Sequence, residues 1–345
     1  MKTTSVPIQN LYYLLAYAWD HFRSGEEIDV DQSQCPDAVN LLAMLLGNGI
    51  RHLATSGMDK SYKEFVEETP RLRGRINVLS SYRKRTHLAG RMICEYDELT
   101  ANTIPNRILK STCQRLAAAT SDLTKENRSE IRHALSLLPD VDQIHLNSQV
   151  FRRFQLHRNN RHYRLLMHVC QLLHELHIPD RQSGSRRFKS ILDEETVMHK
   201  VFEGFVRQFA IRHCLNTKVS AMKIEWDGQW TDEVAQVLPG MLTDVTLERP
   251  NKKTILDCKF YRDALVTRHN RHRLHSAHLY QLVAYLRNKA IDDGWETVNG
   301  VLLYPAVSHH LDLVFTLQGH GIEIRSVDLD QPWPIIHQRM KDILG

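Results

Sequence analysis

A chain of 345 residues is long enough for two domains, each with its own core, and 42% hydrophobic with 25% charged residues is ordinary for a soluble globular protein. No apolar run approaches the roughly 20 residues of a membrane-spanning helix, and the N-terminus has a single Lys and no small-residue cleavage site after its short apolar run, which argues against a secretory signal. Six scattered cysteines (Cys35, Cys94, Cys113, Cys170, Cys214 and Cys258) without a C-x-x-C pair exclude a disulfide framework or zinc motif and point to reduced thiols, hence a cytoplasmic protein.

The first element, PIQNLYYLLAYAW, is an amphipathic helix with Leu11, Leu14, Leu15, Ala18 and Trp19 on one stripe and Asn10 as its N-cap. A second helical run, AVNLLAMLLGNGIRHLA, starts at Ala38. A β-prone region follows (YKEFVEETPRLRGRINV and AGRMICEYDEL), then helices from about Ile104 to Ala119 and Ser129 to Leu138. The Arg-rich stretch at 151–164 reads as a connection or domain edge, after which RLLMHVCQLLHEL resumes a helix. In EETVMHKVFEGFVRQFAIRHC, Phe202, Phe205, Val206 and Phe209 share a helical face, with Glu203 nearby.

Chemistry enters at MLTDVTLERPNKKTILDCKF, residues 241–260. Two β-prone runs flank the turn-rich ERPNKK, the pattern of a β-hairpin. Alternate strand residues point to one side, so Asp257 and Lys259 share a face. Asp244, on the neighbouring strand, joins them if the register allows. Two carboxylates and a lysine so gathered suit a hard cation and phosphodiester hydrolysis. A surface hairpin with solvated charges satisfies the same spacing. Against it, both acids lie inside apolar runs (Val245 and Leu247; Ile255 and Leu256), where an unpaired carboxylate is costly. The helix HLYQLVAYLRNKA follows, with Leu279, Leu282, Val283 and Leu286 at helical spacing and Gln281 and Tyr285 one turn apart. VNGVLLYPAV then supplies a further buried strand.

The net charge of +5 is unevenly spread. Arg71 to Arg91 holds seven Lys/Arg and no acid, and Phe151 to Arg164 five Arg and two His. Arg262 to His275 holds four Arg and three His against one Asp. Such patches suit phosphate backbones, where cations displace condensed counterions. His269, His272, His275 and His278 recur every third residue, yet on a straight helix that spacing rotates about 60° per step, so four ligands cannot converge on one ion. No G-x4-G-K-[ST] motif is present, so no standard P-loop GTPase is encoded.

The D-x12-D-x-K spacing with the following Gln helix resembles the PD-(D/E)xK nuclease motif, although Pro239 lies five residues before Asp244 rather than next to it. The strings PIQNLYYLLAYAW, RLRGRINV, YDELTANTIPNRILKSTCQRL, LPGMLTDVTL, ILDCKFY, HLYQLVAYL and VLLYP, in this order, resemble the McrC family, the nuclease subunit of the McrBC methylcytosine-dependent restriction system. That resemblance implies an α+β chain. Its N-terminal mixed α+β domain (1–160) would dock on and activate a hexameric AAA+ GTPase, McrB, followed by an α/β PD-(D/E)xK nuclease domain (161–345). It implies Asp244, Asp257 and Lys259 as catalytic residues aided by Gln281. Mg²⁺ would be held by Asp244, Asp257 and the backbone carbonyl of Cys258. Related nuclease cores often add a helix acid, here Glu203, for which an ordinary exposed helix Glu is the other reading. Arg71, Arg73 and Arg75 around Gly74 are candidates for partner or DNA contact, a structural basic loop being the alternative. Arg262, Arg268 and Arg271 are candidates for DNA. A catalytically inactive assembly subunit and a stand-alone Mrr-like nuclease are the rival readings, and double-stranded DNA with modified cytosine is the expected substrate.

Overall fold

A computed structural model describes residues 6–20, 33, 35–119, 122–155, 158–179, 186–188, 190–260, 265–268, 271–306 and 310–345. The chain is mixed α+β and forms two compact units: residues 1–38 with 189–345, and residues 39–188. This division departs from a cut at residue 160, because α1 (Ile8–Ala18) packs on a helix of the C-terminal half. Helix α1 is buried on nearly all sides, its leucines Leu11, Leu14 and Leu15 together with its tyrosines. Pro7, not Asn10, is its N-cap. Asn10 lies inside the helix, buried, and its amide donates to the carbonyls of Leu329 (2.8 Å) and Gln331 (2.9 Å). A polar residue in an apolar helix thus satisfies distant backbone instead of capping its own.

The unit of residues 39–188 contains nearly all of α2 (Ala38–Ser56) and a three-stranded antiparallel sheet. Strands β1 (Ser61–Thr69) and β2 (Arg75–Ile76) flank β3 (Met92–Thr100), with α3 (Val78–Arg83) between the last two in sequence. Helix α4 (Ile104–Ala118) follows. Helix α5 (Lys125–Ser136) begins four residues before the expected Ser129, because the Thr124 hydroxyl accepts from the Asn127 N–H and caps it there. The Arg-rich stretch is not a plain connection: α6 (Ser148–Arg153) and a 3₁₀ segment, Arg158–Tyr163, occupy it before α7 (Arg164–Leu176). A short hairpin of β4 (His177–Pro179) and β5 (Arg186–Phe188) ends the unit.

The other unit is built on α8 (Glu195–His213) and a six-stranded mixed sheet. In chain order come β6 (Lys218–Ser220), β7 (Lys223–Ile224), α9 (Asp232–Val237), β8 (Met241–Leu242), β9 (Val245–Glu248) and β10 (Lys253–Cys258). A hairpin of β11 (Leu265–Arg268) and β12 (Arg271–Leu274) precedes α10 (Ser276–Lys289). Then follow β13 (Asn299–Ala306), β14 (Asp312–Leu317), β15 (His320–Asp328) and α11 (Trp333–Leu344). The sheet order is β14-β15-β13-β10-β9-β6, with β10, β13 and β15 parallel and the other pairings antiparallel. Central β10 is buried along almost its whole length, which its run Thr-Ile-Leu anticipates.

Helix α8 buries Phe202, Phe205, Val206 and Phe209, and Phe205 meets Tyr17 of α1 and Trp333 of α11 in edge and tilted ring contacts. Leu282, Tyr285 and Leu286 of α10 join a separate cluster with Ile255, Leu302 and Ile322. Gly300 permits this approach: a Cβ there would stand 2.8 Å from methyls of both Leu282 and Leu286. Among the described residues no helix is long and apolar enough to cross a membrane. None of the six cysteines is in a disulfide, and five of them are buried.

Candidate metal and catalytic site

The hairpin forms around the predicted turn, where the Arg249 N–H donates to the Lys252 carbonyl (3.0 Å) and Glu248 pairs with Lys253. Its first strand is broken, however. The Thr243 N–H donates to the Met222 carbonyl (2.9 Å), and its hydroxyl accepts the Met222 N–H (2.8 Å), which turns β8 toward β7. Asp244 therefore sits in a bend between β8 and β9 rather than within a strand. Because Leu256 pairs with Val245, Asp244 falls level with Asp257 at the end of the β9–β10 ladder. The Cys258 N–H then donates to Asp244 Oδ2 at 2.7 Å.

Asp257 and Lys259 lie two residues apart and share the face of β10 on which Ile255 meets α10. Asp257 is 0% exposed and Lys259 6%. Lys259 Nζ donates to Asp257 Oδ1 (3.0 Å) and to Gln281 Oε1 of α10 (3.0 Å). Gln281 Nε2 in turn donates to the Tyr285 hydroxyl (2.7 Å), which donates to the Leu242 carbonyl (3.2 Å). Gln281 and Tyr285 form one side of a chain of bonds that fixes the ammonium. Asp257 Oδ2 lies 2.9 Å from Lys259 Nζ yet has no hydrogen bond, although it is buried. Such an atom, charge-paired with Lys259 but accepting no hydrogen bond, has lone pairs left for a cation.

Glu203 is not an ordinary exposed helix residue. Its side chain is 25% exposed and is ion-paired through Oε1 with Arg207, one turn on. Arg207 also reaches the Asp244 carbonyl through Nε (2.9 Å) and Nη2 (2.7 Å). It thereby ties helix α8 to the bend. His199, Glu203 and Asp244 each offer a ligand-type atom, all within 4.8 Å of one another. Sequence reasoning passed over His199 and Arg207; the signal was their spacing of four residues on either side of Glu203, which puts all three on one helix face.

The electrostatics are those of crowded acids. Burial raises Asp257 from 3.8 to about 7, against the pull of Lys259 and with the push of Asp244 and Glu203. Burial likewise raises Asp244, although the Cys258 N–H and Lys259 lower it. Glu203 is raised by burial and by the Asp244 charge, against Arg207. Three carboxyls whose charged forms are disfavoured, beside the Lys259 and Arg207 cations, form a cluster of oxygens chemically suited to a hard divalent cation.

Of the remaining predicted residues, Arg71, Arg73 and Arg75 are exposed around a loop that Gly74 makes possible. Gly74 has φ +59°, and a Cβ there would lie 2.4 Å from the Glu95 carbonyl oxygen. Arg73 stacks its guanidinium over Tyr96 at 5.6 Å. Arg268 and Arg271 pair across the β11–β12 turn, while Arg262 lies outside the described residues. The histidine series is not helical throughout: His272 is on β12 and only His278 is within α10, while His269 lies outside the described residues. His278 Nδ1 is 2.9 Å from the Tyr304 hydroxyl, and burial, then Lys259, lowers the ring to about 4. It is neutral at neutral pH.

Fold and site together define a mixed α+β protein with a buried carboxylate–lysine cluster at the end of a hairpin. The chain belongs to the McrBC family of 5-methylcytosine restriction system components, whose family model matches residues 4–305. It is 29% identical over 344 residues to the type IV methyl-directed restriction enzyme EcoKMcrBC of Escherichia coli (strain K12), covering 99% of this chain and 98% of that relative. In structure it resembles a chain of the half-complex from a tetradecameric assembly of Thermococcus gammatolerans McrB AAA+ hexamers with bound McrC. The TM-score is 0.58 at 18% identity, over 98% of this chain and 75% of that one.

Proposed function

We propose that this chain is the Mg²⁺-dependent endonuclease subunit of a methylcytosine-directed restriction complex, with a PD-(D/E)xK nuclease core. In this reading it cleaves double-stranded DNA when assembled with a McrB-like hexameric AAA+ GTPase and stimulates that partner's GTP hydrolysis. The observation that carries the reading is the wholly buried Asp257, whose Oδ2 has no hydrogen bond while Asp244 and Lys259 lie beside it. Asp244, Asp257, Glu203 and the backbone carbonyl of Cys258 are the groups that would hold Mg²⁺. The ion supplies Lewis-acid polarisation of the scissile phosphate and a lower pKa for its water. Lys259 orients the attacking water or neutralises a phosphate oxygen, and Gln281, braced by Tyr285, keeps the ammonium in place. Arg207 positions Asp244 through its carbonyl.

The docking and activating role expected of the N-terminal half falls, in this proposal, to the unit of residues 39–188. Its Arg71, Arg73 and Arg75 stand exposed beside the exposed apolar side chains Leu72, Val78, Leu79 and Tyr82, a mixture suited to a protein partner. Arg262, Arg268 and Arg271 are assigned to DNA, where cations gain from counterion release.

A plasmid-cleavage assay with Mg²⁺ on methylated and unmethylated DNA tests the proposal. It compares this chain alone, the chain with its cognate GTPase and GTP, and the same mixture carrying Asp257→Ala. Cleavage of methylated DNA only by the complete wild-type mixture is expected. Cleavage by the chain alone would mean an autonomous nuclease. Stimulated GTP hydrolysis without cleavage would mean an inactive assembly subunit, and wild-type cleavage by a folded Asp257→Ala chain would remove Asp257 from the chemistry.

A further inference from the structure

His199 lies four residues before Glu203 on α8, so the two side chains stand one turn apart on the same face. Helix and bend together bring them to Asp244, where an imidazole nitrogen and two carboxylate oxygens lie within 4.8 Å of one another. Each acid is held from another direction. Asp244 Oδ2 takes the Cys258 N–H, its backbone carbonyl takes two bonds from Arg207, and Glu203 uses Oε1 for Arg207. A carboxylate has two oxygens, so each acid can make these bonds and still serve as a ligand. A second observation lies outside this trio: Asp257 Oδ2 is fully buried and accepts no hydrogen bond, has the Lys259 ammonium at 2.9 Å as its counter-charge, and stands within electrostatic reach of both acids.

We propose that His199 is a nitrogen ligand. With Glu203 and Asp244 it would form a mixed nitrogen–oxygen position that takes a first-row transition ion such as Mn²⁺ in preference to Mg²⁺ or Ca²⁺. The inference rests on the metal-dependent reading above and goes beyond it by naming the ligand atom and the class of ion. Sites built wholly of oxygen suit Mg²⁺ and Ca²⁺, whereas imidazole shifts preference toward first-row transition ions. A histidine and a glutamate one helical turn apart can supply two ligands from a rigid element, so binding needs little ordering of the chain. Asp244 and Glu203 are then shared with the Mg²⁺ ligands named above, and His199 is the ligand this inference adds.

The test uses the full chain, titrated with Mn²⁺ and followed by electron paramagnetic resonance, with pulsed measurements for ¹⁴N coupling to the bound ion. Wild type, His199→Gln and Asp244→Asn are compared, each also titrated with Mg²⁺ as competitor. Wild-type protein should bind Mn²⁺ with ¹⁴N modulation. His199→Gln should lose that modulation and bind Mn²⁺ at least about tenfold more weakly, while its Mg²⁺ affinity changes far less. An unchanged melting curve of the metal-free variant excludes unfolding as the cause; if His199→Gln does not fold, His199→Asn takes its place. Bound Mn²⁺ without ¹⁴N modulation in wild type would overturn the inference. So would modulation that persists in His199→Gln, because another imidazole would then be the ligand. If Asp244→Asn abolishes binding and His199→Gln matches wild type, the carboxylate site stands and His199 falls. If neither ion binds wild type, both readings fall.

Discussion

Raising the pH of the cation-free protein from about 5 to about 8 forces a negative charge onto a fully buried carboxyl. Burial lifts Asp257 from 3.8 to about 7. A carboxyl with a folded pKa above its unfolded one holds its proton more tightly in the folded state. Stability is therefore greatest below the unfolded value, falls as pH rises between the two, and levels off above the folded value. Three units at about 1.4 kcal/mol each come to about 4 kcal/mol. That is a large share of the roughly 5–15 kcal/mol that holds a domain together. Urea unfolding in EDTA at several pH values reads this directly when wild type is compared with Asp257→Asn, which cannot titrate there. Asp244 and Glu203 remain in both proteins, so the difference between the two slopes reads the Asp257 proton together with its coupling to those acids. The wild type should lose about 1 kcal/mol more per pH unit than the variant between about pH 5 and pH 7. A divalent cation should flatten the wild-type profile by replacing the proton. Parallel profiles for the two proteins in EDTA would refute the reasoning.

Gln281→Ala removes the amide oxygen that, with Asp257, holds Lys259. Single-turnover cleavage by the assembled complex should fall about 10–100-fold while the circular-dichroism melt stays near wild type. Gly74→Ala puts a Cβ against the Glu95 carbonyl at a positive φ, so the unit of residues 39–188 should lose about 1–3 kcal/mol in urea unfolding. Phe205→Ala empties the ring contacts with Tyr17 and Trp333. Chemical denaturation should show a loss of about 3–5 kcal/mol, with α1 the first segment to gain hydrogen exchange.

Much of this chain could be read along its length, because local periodicity is a local property. The apolar spacing of Phe202, Phe205, Val206 and Phe209 specifies a helix with one buried face wherever that helix finds a partner. Strand alternation alone puts Asp257 and Lys259 on one side of β10, and helical spacing stacks Gln281 over Tyr285. The site beyond those pairs was decided in three dimensions. Thr243 breaks its strand because Met222, twenty-one residues earlier, bonds its backbone and hydroxyl. Asn10 looks like a cap until carbonyls more than three hundred residues away claim its amide. Arg207 and His199 carry no motif, and they matter only because α8 packs where the Asp244 bend arrives. Side-chain period is set by backbone geometry that every residue carries with it. The partner of a buried polar group is set by whichever distant segment packing brings within hydrogen-bond reach, and only the tertiary structure determines that.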